Sequence, residues 1–523
     1  MKRCGKSAPV PRVTEEARQT PPGARPNRGA FEGCPPELPG RSQEMSGDRH
    51  SQMNDRCPVL GNLNREQNSA YGLLWPFFYL FKDSNQPMQT SQPVGDISFN
   101  EKVRVFSHDY LKCCVYISSL DDPQKAFTKK LFSNLIYSSL LLEDFLDFHG
   151  AKNNKDWYYY RELSAAVRHL SLGANFQKHI SNRLVFYDLP ESGDFQKEGD
   201  VTLQFLTRTL MQMAPAIIDE ARQHKVPVPE EGFSSSDFPS VSTNELLPYD
   251  IDDQDKDVQK KNIVKIASEF LNITKDLEQF KIYEPYSYEN ILAVVPDKVN
   301  EVEIRRYEML LHNLQSSFDT YVIHGGFRYG NRKLKQLRGF FSVVFHLLQM
   351  VGRLLHFYER HLHEAGYKNT YKNVQVQLSA FVNPEVLLDR IINYGLYYAC
   401  HFLTTGQELA REILNENIER GQIKVGVPDK LGFHARPSLL VAKIVQYYGG
   451  HVELRVGDDR FDASSVLDLQ WAGGKILKED LKEVVFEGDA RTLKDIEILA
   501  GVNYGEDTMG KGVPLPKELK YLM

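Results

Sequence analysis

Over residues 100–420 apolar side chains recur at helical spacing, and from Ile423 the period changes to two. This change of period divides the chain near residue 420 into a helical part and a part built on strands. In the first part the spacing predicts helices over 127–148, 157–184, 201–222, 262–280, 299–321, 333–364 and 384–417, with a shorter one from Val374. Pro227, Pro229 and Ser234 to Ser236 end the third helix, and the acidic stretch that follows makes 226–257 an expected solvated linker. Residues 98–420 are therefore read as a large all-α bundle of seven or more helices.

Residues 1–97 are rich in Pro, Gly, Arg, Ser, Asn and Gln and lack a sustained period, so they are expected to be a disordered leader, with the native start downstream, for instance at Met88. Their one apolar run, 71–81, falls short of the roughly 20 residues that cross a bilayer, and Pro76 interrupts it. A net charge of −6 gives no bulk attraction to nucleic acid or to an anionic membrane. The six cysteines have no CxxC spacing, which argues against a zinc knuckle or a redox pair; Cys113 and Cys114 read as packed thiols of a cytoplasmic protein.

Two polar constellations in the helical part invite a metal reading. His346, Gln349, Arg353, His356, Arg360 and His363 form one stripe on the 333–364 helix. At 1.5 Å per residue, His346 and His356 lie about 15 Å apart and His356 and His363 about 10 Å, too far to share an ion, so any metal would need ligands from another helix. Glu143, Asp144 and Asp147 lie near His149 without a Glu-x-x-His pair and read as surface charges. No metal and no cofactor is expected on these grounds. His324-Gly325-Gly326-Phe327-Arg328, before a basic helix start, reads as a loop turn.

The stretch with a legible chemistry is Leu431-Gly432-Phe433-His434-Ala435-Arg436-Pro437-Ser438. The alternating residues Ile423, Val425 and Val427 precede it; Leu440, Val441, Ile444, Val445 and Tyr448 follow at helical spacing, and Pro437 fits a first helical turn. An anion carried by His434 would face the free backbone N–H groups of Ala435 and Arg436 and the positive end of the helix dipole, with the Arg436 guanidinium nearby. Beyond it come an expected hairpin over 451–463, a short helix from Ser464, a strand over 481–486 and a helix opened by Gly488-Asp489, which makes the order βαββαβα over 421–507, with a tail at 508–523.

Gly432, Phe433, His434, Ala435, Arg436 and Pro437 match, position by position, the Gly-hydrophobic-His-Ala/Thr-Arg-Pro signature of the HPr family, the histidine phosphocarriers of the bacterial phosphoenolpyruvate-dependent phosphotransferase system, and 421–505 resembles that family in element order. The resemblance implies an α+β fold, an open-faced antiparallel sheet with helices on one face. It implies that His434 accepts a phosphoryl group on Nδ1 from enzyme I and passes it to an acceptor protein, as a covalent relay and not an enzyme with its own turnover, while Arg436 steadies the transferring charge. It also aligns Ser465 with the residue that a serine kinase modifies in many members. Leu431, Asp468, Gln470 and Trp471 depart from residues usual in the family's docking surface. Alternatives are a phosphorylation-switched regulator with the helical part as output or sensor, and an HPr-fold docking module that is not phosphorylated.

Overall fold

The computed structural model describes residues 97–522 except 123–125, 191, 241–255, 324–331 and 364–367. The expectations for the leader, for the acidic half of the linker and for the 324–328 turn lie outside the described residues.

The helical part opens with α1 (Phe99–Ser118), α2 (Lys129–Phe148), α3 (Tyr158–Tyr187) and α4 (Ser192–Gln223). Ser98 and Thr128 cap α1 and α2 by accepting from the N–H groups of Glu101 and Leu131. After the linker come α5 (Lys256–Leu277), α6 (Tyr288–Leu292), α7 (Glu301–Phe318), α8 (Arg332–Phe357), α9 (Asn369–Phe381), α10 (Pro384–Asp389) and α11 (Tyr397–Asn417). Three of the long helices predicted by spacing run into π segments: Asp319–Ile323 follows α7, Tyr358–His363 continues α8, and Arg390–Leu396 joins α10 to α11. Helix α4 begins nine residues before the expected start and runs through Pro215.

One continuous core binds these helices, with α3 and α8 at its centre. They approach closely at Gly339, where a Cβ would run into the carbonyl of Tyr187. Helix α8 and its π continuation are long and apolar enough to cross a membrane, yet 78% of the apolar window is buried inside the protein, as a core helix of a bundle requires. Cys113 and Cys114 are free and buried, and burial pushes the Cys113 thiol up to about 12. Val226 and Phe238 of the expected solvated linker also pack into this core.

The second part carries β1 (Arg420–Gly426), α12 (Ala435–Tyr448), β2 (Val452–Val456), β3 (Asp459–Asp462), α13 (Val466–Lys478), β4 (Glu483–Asp489) and α14 (Ala490–Gly501), in the expected order. The four strands form one antiparallel sheet in the order β1-β4-β2-β3. Val452, Leu454, Val456, Val484 and Phe486 point to a core shared with α12, α13 and α14. The alternate positions make a charged face, where Arg460 pairs with Glu453 at 2.6 Å and Arg455 with Glu487 at 3.5 Å. The residues after 507, which carry no periodic signal, return to this core through Leu519 and Leu522.

The two cores abut at the C-terminal end of α12. The Ser268 hydroxyl donates to the Tyr448 carbonyl at 3.2 Å, Arg491 donates to Ser268 at 3.3 Å, and the His451 N–H donates to Asn415 at 2.9 Å. Fourteen residues at 1.5 Å each place this junction about 20 Å from the start of α12. The opposite end of that helix, where His434 sits, is clear of the junction.

Candidate functional site

Strand β1 ends at Gly426, and the loop to α12 is fastened at several points. The Val427 N–H donates to the Lys482 carbonyl at 3.0 Å, the Asp429 N–H to the Asn503 side chain at 3.0 Å, and the Tyr504 hydroxyl to the Gly426 carbonyl at 2.8 Å. Leu431 and Gly432 both take left-handed backbone angles, φ 61° and 59°, which reverse the chain before the helix. Glycine adopts this conformation without cost; a leucine pays for it, and the fastened loop holds it there. Phe433 is buried against Tyr504 and Phe486, with centroids 5.2 and 6.1 Å away, and anchors the residue that follows.

His434 is the N-cap of α12, with extended backbone angles and no side-chain capping bond. Its imidazole is thus not spent on the helix it starts. The Ser438 hydroxyl instead donates to the Phe433 carbonyl at 3.0 Å. The N–H groups of Ala435 and Arg436 stand at the first two helical positions, where an α-helix offers them no internal acceptor, and Pro437 has none to leave unpaired. His434, Ala435 and Arg436 therefore come together at one helix start, as the spacing predicts, with the His434 side chain 31% exposed.

The residue that sequence reasoning missed is Glu506. Its carboxylate Oε2 lies 3.0 Å from His434 Nε2, and its side chain is only 2% exposed. A carboxylate can only accept, so Nε2 carries the proton and the Nδ1 of a neutral ring keeps its lone pair. Glu506 arrives there because Tyr504 and Gly505 both take left-handed angles and because the chain then turns back, the Val513 N–H reaching the Gly505 carbonyl at 2.9 Å. The same turn brings Gly512 against the Arg436 guanidinium, where a Cβ would collide with it. Lys430 donates to the Met509 carbonyl at 3.1 Å and closes the turn over the loop.

Ser465 is the N-cap of α13: its hydroxyl oxygen accepts from the Asp468 N–H at 3.2 Å and lies 3.2 Å from that residue's carboxylate. Helix α13 packs beside the His434 loop at Gly473, where a Cβ would sit 2.9 Å from the Phe433 carbonyl. Of Leu431, Asp468, Gln470 and Trp471, Leu431 is 69% and Trp471 67% exposed, in company with Leu467, Leu477 and Met509, while Asp468 and Gln470 are half-buried.

In the helical part, the reading of Glu143 as a surface charge is corrected. Glu143 is buried and lies 2.9 Å from Arg161 and 2.8 Å from Arg168, while Arg161 also pairs with Asp147 at 2.7 Å and Glu162 at 2.8 Å. Charge type alone suggested exposure; the cations supplied by α3, one helix further on, make burial affordable. Of the polar stripe on α8, His356 bonds Glu301 at 2.8 Å and His346 bonds Gln349 at 2.9 Å.

Comparisons of the chain with protein-family models, with curated proteins and with solved structures return no match.

Proposed function

We propose that the C-terminal module is an HPr-like phosphoacceptor, and that His434 takes a phosphoryl group from an enzyme I-like donor. The observation that carries this reading is the pairing of His434 Nε2 with the buried Glu506 carboxylate at the start of α12. The carboxylate fixes the tautomer that leaves Nδ1 as nucleophile. In the transfer, the bond from phosphorus to the donor's histidine breaks as the bond to Nδ1 forms. The N–H groups of Ala435 and Arg436, the helix dipole and the Arg436 guanidinium face the oxygens of the transferring group. Passage to a downstream acceptor is the same step in reverse, so the module relays and does not turn over.

The exposed apolar residues beside the loop, Leu431, Leu467, Trp471 and Leu477, are a surface for those partner proteins. The helical part packs at the far end of α12 and leaves this surface open. Its size favours a regulatory output over simple sugar uptake, in a cytoplasmic protein of a bacterial phosphotransferase system. The deciding experiment is incubation of the full chain with enzyme I and labelled phosphoenolpyruvate. Acid-labile label on His434 supports the reading, and a protein that stays unlabelled while retaining its partners is instead a docking module.

A further inference from the structure

Three histidines meet inside the helical core. His169 of α3 is 2% exposed, His361 of the π segment 5%, and His356 at the end of α8 is half-buried. One ring nitrogen from each lies within 4.8 Å of those of the other two. We propose that His169, His356 and His361 form a site for one divalent transition-metal ion of the Zn2+ class.

The backbone is shaped to bring them together. Around a regular α-helix, residues five apart stand about 140° from one another, so His356 and His361 would face different neighbours. The i to i+5 bonding of the Tyr358–His363 segment returns residue 361 to the side of residue 356. This is why His361 was absent from the stripe drawn at α-helical spacing, which selected His363. The third ligand comes from another helix, as the distances along α8 demand.

Each histidine has a nitrogen to give. His356 Nδ1 is held by Glu301 at 2.8 Å and His361 Nδ1 by Glu162 at 2.6 Å, which leaves both Nε2 atoms as donors in two carboxylate–histidine pairs of the kind that orient metal ligands. His169 Nδ1 is buried and has no hydrogen-bond partner; while Arg168 donates to Nε2, Nδ1 carries the proton of the neutral ring, so it ligates once Arg168 withdraws and the proton moves to Nε2.

Two adjustments accompany binding. The His169 and His356 rings are stacked 4.3 Å apart at 21°, so their in-plane lone pairs run side by side. One ring turns about χ2, a soft torsion, to converge on the ion. Arg168 Nη2, shared between His169 Nε2 at 3.0 Å and Glu143 Oε1 at 3.2 Å, gives up the first contact and keeps the second. Three imidazoles select a borderline ion such as Zn2+ or Co2+ and leave a position for water or a fourth ligand.

The test uses the full chain after dialysis against a chelator. Calorimetric titration with Zn2+ gives one ion per chain, and Co2+ gives visible d–d bands. His356→Gln and His361→Gln each weaken Zn2+ binding by at least about 100-fold, and Glu301→Gln by about 10- to 100-fold. His434→Ala, outside the site, leaves it unchanged. Thermal melts establish that the variants fold; should the buried His361→Gln fail to, the half-buried His356→Gln decides. Absence of stoichiometric binding to the parent, or equal affinity in His356→Gln, overturns the site.

Discussion

His434 Nε2 and Glu506 Oε2 meet at 3.0 Å although 72 residues of chain separate them. One member starts a helix and the other lies in a turn after the last helix of the module. A surface pair of this kind is worth little, but the Glu506 side chain is buried, so its orientation is fixed before any partner arrives.

On the phosphoacceptor reading, Glu506 is a positioning residue for the Nδ1 nucleophile. Glu506→Ala frees the imidazole to take the other tautomer and slows transfer from enzyme I by about tenfold or more, near 1.4 kcal/mol in the barrier. Glu506→Gln, whose carbonyl still accepts from Nε2, recovers part of that loss. The readout is the single-turnover labelling rate across pH, with a thermal melt on each variant. A parent rate for Glu506→Ala would mean that the contact is only structural.

On the same phosphoacceptor reading, His434→Ala removes the nucleophile and abolishes phosphoenolpyruvate-dependent labelling. Because the imidazole makes no capping bond, the fold loses no more than about 1 kcal/mol. Arg436→Ala slows transfer without abolishing it, since a cation near the transferring oxygens accelerates the step while the nucleophile remains. Undiminished label on His434→Ala would refute the site.

What could be read in advance, and what could not, follows from the range of the interactions. His434, Ala435 and Arg436 were legible because a strand period, a glycine, a proline in the first turn and a helix period all lie within a few residues. Glu506 was not, since it depends on the left-handed Tyr504 and Gly505 in a segment with no period. His361 was hidden by the π segment, which alters the very spacing used to find faces. Glu143 was misread because its cations sit on the next helix, beyond any local pattern.

The helical part carries a pH dependence of its own. Burial, assisted by neighbouring His179 and Arg338 and opposed by the Gln349 hydrogen bond, pushes the His346 imidazole from 6.5 down to about 4. In that window the unfolded chain binds a proton that the folded chain refuses. The stabilisation is therefore full above about pH 6.5 and is lost as pH falls towards 4, on the order of 3 kcal/mol for this group. Urea titrations at pH 7 and pH 4.5 give a lower midpoint at the acidic pH. His346→Gln narrows the difference, and an unchanged difference in that variant would assign it to other groups.

Ser465 offers two separable roles on one side chain. It caps α13 by accepting from the Asp468 N–H, so Ser465→Ala costs about 1 kcal/mol of stability whatever else the residue does. The family resemblance adds a regulatory role, in which a phosphoryl group brings about −1.5 to −2 charges onto the face that meets the donor. Helix α13 is placed for this, because Gly473 packs it against the Phe433 carbonyl next to His434. Aspartate caps a helix as well as serine does, although here it would face the Asp468 carboxylate, 3.2 Å from the present hydroxyl. On the regulatory reading, Ser465→Asp lowers the rate of transfer from enzyme I far more than Ser465→Ala does, while Ser465→Ala loses the cap-sized stability. Melting temperature and transfer rate are measured on the same two proteins. Parent-rate transfer by Ser465→Asp, with the cap-sized loss confined to Ser465→Ala, would leave Ser465 as a helix cap and nothing more.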